Sequence, residues 1–274
     1  MSNPDLKAEI GRGLERSCKD GDRERIVAAP GAEGIERIEA RFFGAAYARH
    51  CHDTYTIGLT LTGAQRFWYR GAERVSRPGQ IIVLHPDEVH DGGAGDETGL
   101  RYRMLYVEPA LIARALDETA APPFVTEPVI DDAPLDELER DDLIVRLARA
   151  LDRRAGRPTR ALARPAARRA KMARDYLDAH ATRAVSSIEL ERAAGLDRYA
   201  LSRDFRALYA TSPHRYLLMR RLTRARALIG AGAPLAEIAA ATGFADQAHF
   251  TRHFKKAYGL PPGRWAALTA DPRG

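Results

Sequence analysis

Residues 190–205 and 238–254 are two copies of one pattern, and this repeat constrains the fold of the 274-residue chain more than any other feature. Leu190-Glu-Arg-Ala-Ala-Gly195 recurs 48 positions later as Ile238-Ala-Ala-Ala-Thr-Gly243, and Leu201-Ser-Arg-Asp-Phe205 recurs 49 positions later as Phe250-Thr-Arg-His-Phe254. Each copy reads helix, small residues, glycine turn, helix, which is the order of a helix-turn-helix unit. Small residues (Ala193 or Ala194; Ala241) let two helices approach, and the glycine supplies the positive φ of a tight turn. Asp197 and Asp246 stand where a second helix needs an N-cap. Leu201 and Phe205, like Phe250 and Phe254, lie four apart and face a core. Arg198, Tyr199, Ser202 and Arg203 then face outward in the first copy, and Gln247, His249 and Arg252 in the second. These are donors near a helix N-terminus, where a recognition helix meets base edges: arginine suits guanine and glutamine suits adenine. Ser186-Ser-Ile-Glu189 fits a capping box, Ser212-Pro213 an N-cap with proline at the first helical position, and Gly230 or Gly232 a helix stop. The helix from Pro213 to about Ile229 joins the two units.

Charge divides the chain in the same way. Residues 160–274 carry 21 Lys and Arg against 9 Asp and Glu, a net of +12, which leaves the front of a chain with overall charge +6 at −6. A basic module tied to an acidic one fits a polyanion-binding unit fused to something else, although basic surfaces also merely solubilise. The length favours two domains. No run of about 18 apolar residues exists, and the first residues lack the apolar core of a signal peptide. A cytoplasmic protein with no membrane partner is expected. Two cysteines, Cys18 and Cys51, make neither a disulfide framework nor a four-cysteine zinc site.

Residues 1–26 read as a polar arm and 27–154 as a first domain. Within it, Tyr55, Ile57, Leu59 and Leu61 alternate with threonines, Gly63 turns the chain into Gln65–Tyr69, and Ile81–Leu84 and Leu100–Val107 are further strands. Short strands broken by glycine and proline point to a small barrel or sandwich. Leu135, Leu138, Leu143, Leu147 and Leu151 recur at helical spacing; the stripe either packs on the barrel or makes a dimer contact. Residues 155–165, basic and holding Gly156, Pro158 and Pro165, read as a linker, and 166–274 as an all-helical domain.

The run Gly243-Phe-Ala-Asp-Gln-Ala-His-Phe-Thr-Arg-His-Phe-Lys-Lys-Ala-Tyr-Gly-Leu-Pro-Pro-Gly-Arg264 resembles the signature of AraC/XylS-type bacterial transcription regulators, over about residues 165–268. His50-Cys-His-Asp-Thr-Tyr55, Gly63, Arg77-Pro-Gly79 and Pro86-Asp-Glu-Val-His90 resemble the cupin-like ligand-binding domain common at the front of that family. The resemblance implies an α+β chain of two domains, a cupin-like β-barrel with flanking helices and an all-α half with two helix-turn-helix units. It implies promoter DNA and a small effector as partners, RNA polymerase as the usual target of activation, and a homodimer. It makes Tyr199, Arg203, Gln247 and Arg252 the leading base contacts, with Lys255, Lys256 and Arg264 directed to phosphate or to packing near DNA.

His50 and His52, two apart on an extended segment, share a face, and a cupin barrel brings His90 beside them. Three imidazoles can line a polar pocket, hold a divalent metal or fill a core. The carboxylate of the usual cupin metal pattern has no counterpart at Asp53-Thr-Tyr-Thr56, which counts against a catalytic metal and leaves no cofactor expected. His50, His52, Tyr55, Trp68 and His90 are the candidate effector contacts. The expected function is effector-responsive transcriptional regulation without catalysis; the alternative is a metal-dependent cupin enzyme fused to a DNA-binding module.

Overall fold

A computed structural model describes residues 24–32, 34–117, 119–131, 143–155 and 161–270. The front half forms two antiparallel sheets. One has six strands in the order β1 (Arg25–Ala32), β2 (Ile35–Phe42), β9 (Leu100–Val107), β4 (Tyr55–Thr62), β7 (Ile81–Leu84) and β10 (Val129–Ile130). The other has four, in the order β3 (Ala45–His50), β8 (His90–Ala94), β5 (Gln65–Tyr69) and β6 (Ala72–Ser76). Ile38, Phe42, Ile82, Tyr102 and Met104 from the first sheet meet Phe67 from the second in one core.

The alternation of β4 is present, but its apolar side faces away from that core. Tyr55, Ile57 and Leu59 join Leu105, Val107 and Ile112 in a separate cluster on the outer face of the sheet. Two helices cover this face: α1 (Pro109–Leu116) and α2 (Leu143–Arg154). With the apolar side of β4 taken by these helices, the alternating Thr56 and Thr60 turn inward, fully buried and hydrogen-bonded, with Thr60 Oγ1 2.8 Å from Ser76 Oγ. Leu147 and Leu151 of α2 are buried in the same outer cluster. The packing reading of the leucine stripe therefore accounts for these two, and they are not free to meet a second copy. Leu135 and Leu138 lie outside the described residues.

The rear half is helical: α3 (Arg164–Ala179), α4 (Ser187–Ala194), α5 (Arg198–Tyr209), α6 (Pro213–Gly230), α7 (Leu235–Ala241), α8 (Gln247–Tyr258) and α9 (Pro262–Thr269). Helix α3 begins within the expected linker, with Pro165 near its start, where the missing N–H costs nothing. The caps form as the residues dictate. Ser186 and Glu189 close a capping box on α4. Asp197 accepts from the amides of Tyr199 and Ala200, Ser212 from Arg215, and Asp246 from His249. The two turn glycines adopt φ of 64° at Gly195 and 79° at Gly243. At Gly243 a Cβ would also stand 2.6 Å from the carbonyl oxygen of Thr182, so nothing larger fits.

Candidate functional site: two recognition helices and a barrel mouth

Helices α5 and α8 present the outward residues that the repeat isolates. Tyr199 is 71% exposed, the most exposed of the large hydrophobic side chains among the described residues. The Arg198 guanidinium lies 4.6 Å from its ring and donates to its hydroxyl at 2.6 Å. Arg203 extends into solvent with Nε 3.0 Å from Asp204 Oδ1, while Ser202 is half-buried. On α8, Gln247, Arg252, Lys255 and Lys256 are exposed. His249 is half-buried, its ring 5.6 Å from Phe244 and 4.6 Å from His253, so it belongs as much to the turn as to the outer face.

The far end of α8 is buried against the barrel. The amide of Ala48 donates to Gly259 O at 3.2 Å and that of Cys51 to Lys256 O at 3.4 Å. Strand β3, which makes the first of these bonds, ends in His50. His50 pairs with His90 across the β3–β8 ladder, and the β3–β4 connection brings in His52. Ring centroids lie 4.3 Å apart for His50–His90, 4.9 Å for His52–His90 and 5.9 Å for His50–His52. Burial, the largest cause in each case, lowers His50 to about 3 and His90 to about 4 and holds His52 well below its ordinary value, so all three imidazoles are neutral. Around them Gln65, Tyr106, Arg226, Tyr258 and Trp265 line a cavity of about 40 Å³, the last three contributed by the helical half.

Two of the five candidate effector residues do not reach this cavity. Tyr55, on the outer face, donates its hydroxyl to Pro123 O at 2.5 Å. Trp68 lies on the four-stranded sheet, half-buried, with the Arg49 guanidinium 4.3 Å from its ring. A further histidine, His85, is a satisfied core residue. Its Nε2 accepts from the Val125 amide at 2.8 Å, its Nδ1 meets the Tyr69 hydroxyl at 2.7 Å, and burial lowers it to about 4.

The residues that sequence reasoning missed are the arginines of α6 and the barrel acids that hold them. Arg215 pairs with Asp87 and donates to Cys51 O at 2.6 Å. Arg220 bridges Asp53, at 3.0 Å, and Glu108. Arg226 meets Glu36 at 2.7 Å while its guanidinium lies 4.7 Å from the Tyr258 ring and 4.5 Å from that of Trp265. Asp53 is drawn in opposite directions: burial raises its pKa, and the Arg220 charge opposes that rise. The signal was available in the opposite net charges of the two halves, which serve partly to join them. A cleft of about 660 Å³ lies between α1, α3 and α5. Leu111, Ala113 and Leu208 give it an apolar side; the exposed Arg114, Arg164 and Arg168 line it together with the acids Glu108, Asp117 and Asp178.

A barrel docked across paired helix-turn-helix units defines a class, the two-domain DNA-binding regulators that carry a sensor beside their reading heads. Residues 34–170 match the AraC-like ligand binding domain and residues 190–267 a helix-turn-helix domain. The chain belongs to the family of AraC-type transcriptional regulators. It is 26% identical over 234 residues to the HTH-type transcriptional regulator YbfI of Bacillus subtilis (strain 168), covering 77% of this chain and 85% of that one. Its fold is similar to that of ToxT from Vibrio cholerae, with a TM-score of 0.62 at 10% identity over 87% of this chain and 100% of the other. ToxT with a bound unsaturated fatty acid matches with a TM-score of 0.59, also at 10% identity, over 86% and 95% of the two chains. Among the described residues no helix is long and apolar enough to cross a membrane.

Proposed function

We propose that this chain is a cytoplasmic, non-enzymatic regulator that reads promoter DNA with α5 and α8 and is switched by a small effector acting on the docking of barrel and helices. The observation that carries the reading is the place of α6. One helix joins both reading units, and three of its arginines are held by barrel acids. Any ligand that favours one docking over another thereby repositions both units, and a ligand with equal affinity for the two arrangements shifts nothing. Arg198, Tyr199, Arg203, Gln247 and Arg252 read base edges; Lys255 and Lys256 hold phosphate. The barrel cavity of about 40 Å³ is far below the roughly 300–1,000 Å³ of ligand pockets, and the cleft of about 660 Å³ lies within that range. We infer that the effector occupies the cleft, with Leu111 and Leu208 against an apolar body and Arg164 and Arg168 at an anionic end, the chemistry of the fatty acid in the ToxT structure. The chain acts as a homodimer and contacts RNA polymerase. If α2 serves the dimer, Arg149, Asp152 and Arg153 are on its exposed side.

Sequencing the genomic fragments that the full chain retains tests the first half of the reading: a shared motif within a few promoters is expected, and uniform retention would overturn it. Isothermal titration of a medium-chain carboxylate into the wild-type chain and into an Arg164→Ala/Arg168→Ala variant tests the second. Binding lost in the variant is expected, and equal binding by both would remove the effector from the cleft.

A further inference from the structure

We infer that His50, His52 and His90 form a binding site for one divalent first-row transition cation of the zinc type, built into the floor on which the second reading unit stands. The three ligand atoms lie within 4.8 Å of one another, and all three residues are buried. Hydrogen bonding fixes the orientation of two rings. His50 Nδ1 is 2.8 Å from Ala48 O and His90 Nδ1 is 2.8 Å from Glu88 O. A carbonyl oxygen only accepts, so both Nδ1 atoms carry the proton and both Nε2 atoms offer a lone pair. Such anchoring of the remote nitrogen is how proteins orient metal-binding histidines. Neither Nε2 has a hydrogen-bond partner among the described residues. His52 Nδ1 is 3.2 Å from Thr54 O and 3.1 Å from Thr54 Oγ1, and its Nε2 faces the Thr56 hydroxyl at 3.1 Å.

One nitrogen of each of the three rings thus lies within reach of a single ion, with the Thr56 hydroxyl beside the set. Gln65 gives a second, independent indication. It is 6% exposed, it lines the same cavity, and its Oε1 has no hydrogen-bond partner. A water in the fourth coordination position would donate to that oxygen, and a cavity of about 40 Å³ has room for one, since a water needs roughly 10–15 Å³ by the same measure. Zinc–nitrogen bonds of about 2.0–2.1 Å call for nitrogens roughly 3.3 Å apart, a separation that small side-chain rotations produce. The donor set selects the metal. Neither neighbouring side chain joins it: the Cys51 thiol accepts from Arg215 at 3.0 Å, and Asp53 is committed to Arg220. Neutral imidazoles alone suit zinc, cobalt, nickel or copper and not magnesium or calcium. A bound cation would tie β3 to β8 beneath Gly259, whose position is so close that a Cβ there would stand 2.9 Å from His50 Nδ1.

The inference stands apart from the regulator reading, because it concerns metal affinity alone. The untagged full chain, stripped with chelator, is titrated with Zn²⁺ by calorimetry and with Co²⁺ by visible absorption. One equivalent is expected, with the intense visible bands of a low-coordinate Co²⁺ site. His50→Ala and His90→Ala should each weaken binding by more than about 100-fold, beyond the roughly 10–100-fold that loss of an outer-shell partner brings. Thr56→Val keeps the side-chain shape and frees Nε2 of His52, so it is informative even where a histidine variant fails to fold; tighter binding is expected. The half-buried His249–His253 pair is the competing location, and His249→Ala/His253→Ala should leave the stoichiometry at one. Absence of saturable binding, weaker binding by Thr56→Val, or loss of the equivalent in the His249–His253 variant would each overturn the site.

Discussion

The first reading unit, α4 and α5, closes its core on α3: Leu190, Leu201 and Phe205 pack with Ala167, Ala170 and Leu177. The second, α7 and α8, closes instead on the barrel's own core. Ile238, Phe250 and Phe254 belong to one continuous cluster with Phe42, Phe67 and Tyr102 of the barrel. Two copies of one pattern have become a reader that meets the sensor half through Ala110 and Ala113 of α1 and a reader whose core runs into the barrel. A single pair of equivalent positions shows the difference. Both recognition helices end in a left-handed residue, Ala210 with φ 56° in the first and Gly259 with φ 72° in the second. The conformation is the same, yet only the second is glycine. At Gly259 a Cβ would stand 2.8 Å from Ala48 O, so it is the approach of barrel backbone, and not the helix end itself, that excludes a side chain there.

The largest effect is expected where both units lose the barrel together. Arg220→Ala leaves Asp53, almost fully buried, and Glu108 without their cation. Truncating one partner of a buried pair costs about 3–5 kcal/mol, measured by urea denaturation. A change below about 1 kcal/mol would mean that the pair is a solvated surface contact. Gly259→Ala copies the residue of the first unit into the second. It should cost about 2 kcal/mol or more from left-handed strain and the barrel contact, and protease should then open the junction between Ala48 and α8. The converse change, Ala210→Gly, relieves a strained alanine and should raise stability by up to about 1 kcal/mol. If the two substitutions shift the melting temperature alike, the two units are held alike and the contrast fails.

At the DNA, Arg203→Ala and Arg252→Ala should each weaken a mapped site by about 1–3 kcal/mol and relax specificity at separate base pairs, read by competition binding on single-base variants. An unaffected Arg252→Ala protein beside a crippled Arg203→Ala protein would sharpen the contrast, by showing that docking on the barrel withholds the second unit. The smallest effect belongs to Lys255→Ala, which should weaken all sequences alike and lower the slope of log K against log salt by about one.

Much of the helical half was legible because its determinants are local. The capping box at Ser186, the aspartate caps at Asp197 and Asp246, and the turn glycines act within four residues along the chain, and the repeat states them twice. The barrel was legible as strands and opaque as a container. The alternation at 55–61 fixes which residues share a side and leaves open which side faces inward. Tyr55, a candidate effector contact, lies on the face that α1 and α2 cover from outside. The leucines at 147 and 151 were ambiguous for the same reason, since an apolar stripe has no label for its partner. The arginines at 215, 220 and 226 gave no periodic signal, and their acids come from four separate points of the barrel, at residues 36, 53, 87 and 108.

Sequence by itself determined the paired reading units with their caps and turns, which follow from spacing along the chain, while His90 joined His50 and His52 only through the resemblance to a cupin barrel. Tertiary structure alone decided which face of β4 lines the barrel, which acids hold α6, and that the end of α8 roofs the histidines. Those outcomes depend on which layers come to cover one another, and a layer's partner is chosen by packing between segments far apart in the chain.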